Sequence, residues 1–213
     1  MATTQAAPRF RLSEGTPPQP RQTRSIEKRE RILAAARTVF EECGYGRAQV
    51  DDIAARAGIA TGALYLSFRS KRQLLVELMN ELVATLESLT LGLGDESDTR
   101  EALHALLRAS LRADRESYGV ITAWLEAIDA DDELRTMNEA LQRWTTSRVL
   151  AVLELVLVRT ASRRPRDLTL FARMMDRHLW MLLGRLGRMT EREFDEEVRV
   201  TSDMIHCYLL GAP

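Results

Sequence analysis

Downstream of Ile26 apolar side chains recur at intervals of three and four. Ile32, Ala36, Val39, Phe40 and Cys43 share one face, and Gly44 closes the run, so the spacing predicts a first helix over about 25–43. A short second helix over about 50–57 turns Ile53, Ala54 and Ala57 inward and stops at Gly58; a third covers about 60–66. Ser70 and Gln73 form a capping-box pattern that opens a fourth helix, striped by Leu74, Leu75, Leu78, Leu82 and Leu86 and ended by Gly92 and Gly94. Asp98 with Glu101 starts a helix over about 99–117, and Gly119 separates it from a short one ending near Ile128. The acidic group Asp129, Asp131, Asp132 and Glu133 favours the N-terminus of a long helix reaching about residue 159. Pro165 stands at a first helical position before Leu168, Phe171, Met175, Leu179 and Leu182. Thr190 and Glu193 make another capping box, and Phe194, Val198, Thr201, Ile205 and Tyr208 mark a last helix. The fold class is therefore all-α, with about nine helices and no strand.

Residues 1–22 mix Pro, Gln, Thr and Ala with Arg9, Arg11 and Arg21 and have no periodicity, which predicts a disordered N-terminal arm. Residues 23–72 then read as a small three-helix head and 73–213 as a larger helical body. The head is basic and the body acidic: residues 21–75 carry 11 Arg or Lys against 6 Asp or Glu, residues 76–213 carry 17 against 24. That asymmetry suits a nucleic-acid-binding head on a body with another task. The longest apolar run, 149–158, is broken by Glu154 and falls short of the roughly 20 residues a membrane span needs. No apolar secretory segment follows Met1, and Cys43 and Cys207 make no disulfide framework, so a cytoplasmic protein with no membrane partner is expected. A phosphate loop, a nucleophile elbow and zinc-ligand spacing are all missing, and the adjacent His206 and Cys207 project in different directions from a helix. An enzyme, a metal site and a cofactor are not expected.

Two short helices joined across Gly58 meet the requirement of a helix-turn-helix, in which the first helix braces the second against the major groove. The stretch from Arg29 to Leu75 resembles the N-terminal domain of the TetR family of one-component transcriptional regulators. The resemblance rests on Ile32 to Phe40 with the Gly44-Tyr45 corner, Ile53-Ala54 with Ala57-Gly58, Gly62, Leu64 and Tyr65 with Phe68, and Ser70-Lys71 with Leu74. It implies that the third helix enters the major groove, that Thr61, Gly62 and Ala63 lie at base edges, and that Tyr65 and Lys71 reach phosphates. Four positions depart from the common pattern: Ala60 replaces a capping hydroxyl, Ala63 stands where Thr is frequent, Ser67 replaces a phosphate-binding Tyr or His, and Gln49 stands where small hydroxyl residues are usual. Arg47 and Gln49 are candidate backbone contacts, and Arg21, Arg24 and Lys28 lie where some relatives carry a minor-groove arm.

The resemblance further implies a homodimer on a double-stranded DNA operator, held by the last two helices. Their apolar stripes point to Leu168, Phe171, Met175, Leu179, Leu182, Phe194, Val198, Ile205 and Tyr208 as the interface. A small apolar effector is expected among the central helices, near His104, Tyr118, Trp124, Met137, Trp144, Met175 and His178. The resulting expectation is a repressor released from its operator by that effector. The alternative is a helical small-molecule or partner-binding protein with a vestigial DNA head, which Ala60, Ala63 and Ser67 favour.

Overall fold

The structure is a computed structural model that describes residues 6–18, 23–91, 98–163 and 165–211. Among the described residues it has nine helices and no strand: α1 Thr23–Arg47, α2 Val50–Arg56, α3 Thr61–Tyr65, α4 Lys71–Leu91, α5 Thr99–Glu116, α6 Tyr118–Ile128, α7 Asp132–Arg159, α8 Leu168–Leu186 and α9 Glu191–Leu210. Gly92 and Gly94, expected to stop α4, lie outside the described residues, as does Arg21. The chain forms two compact units. One comprises Arg9–Leu82 and Ser117–Asn138; the other comprises Met1–Pro8, Val83–Glu116 and Glu139–Pro213.

The first unit is built on α1 to α3 and the start of α4. Ile32, Ala36, Phe40, Ile53, Leu64, Phe68, Leu74 and Leu75 are all buried there, as their helical spacing predicts. Gly58 takes φ 66°, a left-handed conformation that lets the chain turn sharply between α2 and α3 without steric penalty. The expected boundary at residue 72 does not describe this unit, because it also contains α6 and the segment before α1. α6 lies directly against α1: a Cβ on Gly119 would come within 2.7 Å of the Glu41 Cα. Gly119 is thus no separator between helices but the point of closest approach inside α6. At the far end of the contact Glu126 accepts hydrogen bonds from the backbone N–H groups of Tyr45 (2.7 Å) and Gly46 (3.0 Å). These donors are free because Gly44, at φ 74°, breaks the helical ladder of α1.

The expected disordered arm is corrected for residues 9–15. Phe10 and Leu12 are buried, and the Phe10 ring stacks on Trp124 with centroids 5.7 Å apart. Asn80 of α4 clamps the Phe10 backbone from both sides, its Oδ1 accepting from the N–H at 2.8 Å and its Nδ2 donating to the carbonyl at 3.1 Å. Buried Gln73 donates to the Gly15 carbonyl. Two apolar anchors and these backbone partners are enough to order a short extended segment.

In the second unit α5, α7, α8 and α9 share a core that includes Leu103, Leu111, Leu153, Leu168, Phe171, Leu182, Phe194 and Val198. Pro165 is not the first helical residue; its carbonyl accepts from the N–H of Leu168 in the preceding turn, and Asp167 occupies the cap position. The Thr190–Glu193 capping box is complete. Arg112 and Arg115 of α5 both bond Glu191, holding the start of α9, and their guanidinium groups lie over the Phe194 ring.

Candidate nucleic-acid interface

α3 presents its outer surface on a fixed base. Leu64 is fully buried, whereas Gly62 and Tyr65 are exposed and Thr61, Ala63 and Ser67 are half-buried. A side chain built on Gly62 would meet nothing within 4 Å, so this position leaves the backbone open to another molecule. Ala60 caps α3 from an extended conformation and makes no side-chain bond. The order of the turn comes instead from Thr61, whose hydroxyl donates to Asp51 of α2 at 2.7 Å. Asp51 carries no motif and sequence reasoning missed it, as it missed Leu66, which is 75% exposed at the end of the same face. Arg47 and Gln49 are exposed beside the α1–α2 corner, and Arg47 folds back on the Cys43 carbonyl.

Lys71 has a different setting from the one expected. Its ammonium donates to the carbonyls of Tyr45 (2.7 Å), Gly46 (3.2 Å) and Ala48 (3.1 Å) and lies 4.6 Å from the Tyr45 ring centroid. It clamps the C-terminal end of α1, where carbonyls lack helical partners. A phosphate would have to take over one of those three donors. Burial and the carboxylate of Asp131 raise the Tyr45 hydroxyl above its ordinary pKa, so this ring stays neutral. The neighbouring Arg72 binds Asp131 and Glu133 at the start of α7, both at 2.6 Å. Burial works against the charge on these carboxylates, yet backbone N–H groups and Arg72 hold both below the usual range.

In the second unit the residues expected at a dimer interface fall inside the protomer. Leu168, Phe171, Met175, Leu182, Phe194, Val198 and Ile205 belong to its buried core, and Leu179 and Tyr208 pack against it. Phe171 stacks on Tyr208 at 3.7 Å. The seven buried residues are therefore corrected, because side chains spent on the protomer's own core are not available to a partner; Leu179 and Tyr208 stay partly exposed. The large apolar side chains exposed on the last two helices are Leu170, Met174 and Met181 on α8 and Val200 and Met204 on α9.

The expected effector residues divide between the two units. Trp124 and Met137 are buried in the first unit, where the Trp124 indole N–H donates to Asn138 Oδ1 at 3.0 Å. That bond and the Phe10 stack tie Trp124 into the core of this unit, to which Tyr118 also belongs. His104, Trp144, Met175 and His178 lie in the second unit, Trp144 and Met175 buried and His178 beside the Thr201 hydroxyl at 3.2 Å. There a charged group that no periodicity signals emerges. Arg148 of α7 donates to Thr90 and Ser110, and Asp176 of α8 accepts from Thr146 at 2.6 Å. Asp114 of α5 faces Arg148; burial pushes its carboxyl up to about 7, against the pull of that guanidinium. Among the described residues no three His, Cys, Asp or Glu side chains are grouped to hold a metal, and no helix is long and apolar enough to cross a membrane.

Residues 32–78 match the family model described as bacterial regulatory proteins, tetR family. The TetR family regulator PfmR from Thermus thermophilus superposes with a TM-score of 0.67 at 26% identity, over 82% of this chain and 96% of that one. The chain belongs to the TetR family. The matched residues 32–78 span α2, α3 and the turn between them. The fatty acid metabolism regulator protein of Bacillus subtilis (strain 168) is 32% identical over 115 residues, covering 52% of this chain and 59% of the relative. The chain thus matches less than two thirds of that curated relative, and only 24% of the A-factor receptor protein of Streptomyces griseus. TetR proteins are transcriptional regulators rather than enzymes, which accords with the lack of catalytic motifs in this sequence.

Proposed function

We propose that this TetR-family chain is a repressor that binds a roughly palindromic operator as a homodimer and is released by a small molecule. The observation that carries the reading is the open outer face of α3, with Gly62 and Tyr65 exposed above a fully buried Leu64. Thr61, Gly62 and Ala63 would meet base edges, and Tyr65, Ser67, Arg47 and Gln49 the backbone, because phosphate contacts set the register in which bases are read. Leu170, Met174 and Met181 on α8 and Val200 and Met204 on α9 repeat at helical spacing and remain exposed, which supports a self-complementary dimer face. For the effector, support comes from relatives: FadR of Bacillus subtilis was solved in complex with stearoyl-CoA, and SmeT with triclosan. The stearoyl chain and triclosan are both apolar, whereas the CoA moiety is polyanionic. His104, Trp144, Met175 and His178, which share the second unit, are the candidate contacts. A gel-shift titration on duplex DNA flanking the chain's own gene tests the reading: specific retardation that Tyr65→Ala weakens supports it, and indifference to that DNA favours the vestigial-head alternative.

A further inference from the structure

We propose that residues 9–15 form an autoinhibitory strap, in which the Glu14 carboxylate holds the place of a DNA phosphate at the start of α4. The proposal rests on the reading of the head as a DNA-binding unit and goes beyond it. Arg69, Ser70 and the first turn of α4 follow the exposed α3 directly and combine a guanidinium, a hydroxyl and the positive end of a 21-residue helix. That is the chemistry of an anion site next to a groove-reading helix. An anion of the chain itself already sits there. Ser70 Oγ donates to Glu14 Oε1 at 2.7 Å, and Arg69 Nη1 donates to the Glu14 carbonyl at 2.9 Å.

A serine hydroxyl has one proton to donate, so Glu14 and a phosphate oxygen exclude each other at Ser70. The strap is held closed by groups that carry no such conflict: Phe10 and Leu12 in the core, the Asn80 clamp on Phe10, Gln73 on Gly15, and Glu133, which accepts from the Ser13 N–H at 2.6 Å. DNA engagement at Ser70 therefore requires residues 13–15 to lift. Apparent affinity falls by the fraction of molecules in which they have done so. Because the conflict concerns the phosphate backbone, it acts on operator and non-specific duplex alike.

The test measures fluorescence anisotropy with a labelled duplex from upstream of the gene and an unrelated duplex of equal length, using the full chain. Glu14→Ala is expected to tighten binding to both duplexes by about tenfold, and Phe10→Leu, which alters no charge, by about two- to fivefold. Hydrogen exchange at the Phe10 and Ser13 amides is expected to speed up when DNA is added. Tightening by Glu14→Ala with weakening by Phe10→Leu would mean a repelling charge on a supporting segment, and overturns the strap. Unchanged affinity in Glu14→Ala, or unchanged exchange on DNA binding, overturns it too. If wild type and both variants bind neither duplex, the DNA-binding reading fails and takes the strap with it; binding by wild type with no gain in the variants removes the strap alone.

Discussion

Asp114 is held in surroundings that oppose its charge. Burial raises its carboxyl to about 7, against an unfolded value of about 3.9. The native state therefore binds this proton more tightly than the unfolded chain, so stability from this group is intact below about pH 4 and declines as the pH rises to about 7. A shift of that size corresponds to about 4 kcal/mol at most. Asp114→Asn is expected to raise the urea midpoint at pH 8, and the gain should vanish as the pH approaches 4; an equal gain at both values would show that charge is not the cause. Lys71 poses the opposite case, a cation whose three donors all meet carbonyls. Lys71→Met should cost about 1–3 kcal/mol of stability, because those carbonyls lose a charged partner. Denaturation shows this as a lower midpoint at unchanged slope. Both effects are out of reach of the sequence alone: a motif marks Lys71 as a phosphate contact, and nothing near Asp114 in the chain marks it at all. Tyr65 and Gly62 are legible, since at about 100° per residue neither shares the inward face of α3 that Leu64 occupies.

At the scale of elements, local signals are legible in the chain and distant ones are not. The Thr190–Glu193 box and the break at Gly44 lie within a few residues of the backbone groups they govern. The packing of α6 on α1 depends on Gly119 meeting Glu41 and on Glu126 meeting Tyr45 and Gly46, pairs about eighty residues apart with no periodicity to link them. In the segment before α1, Phe10 and Leu12 alternate with Arg9 and Arg11, but four residues of alternation are too few to outweigh the prolines around them. α8 carries two apolar stripes, and spacing cannot say which faces inward: Leu168, Phe171, Met175 and Leu182 do, while Leu170, Met174 and Met181, interleaved with Arg173 and Arg177, do not. Two substitutions at adjacent positions separate the faces. Leu182→Glu should unfold the second unit, since a buried unpaired charge is not tolerated in its core. Met181→Glu, at a position 68% exposed, should leave circular dichroism unchanged and yield monomers in light scattering. A folded Met181→Glu dimer would move the interface elsewhere.

For the whole molecule, regulation requires the effector to bind more tightly to the state that releases DNA. A hundredfold loss of operator affinity corresponds to a coupling of about 2.7 kcal/mol, and reciprocity demands that operator weaken effector binding by the same factor. A candidate from thermal-shift screening whose affinity is equal with and without saturating operator is not the inducer. Everything in this scheme depends on the head reading DNA as one half of a pair. The most direct test is hydroxyl-radical footprinting of the purified full chain on the DNA flanking its gene, with stoichiometry from light scattering. The account predicts symmetric protection of two half-sites whose centres lie about one helical turn, or a multiple of it, apart, with an even number of chains per site and loss of protection in Tyr65→Ala. Uniform protection without half-sites, or a single chain per site, would contradict it.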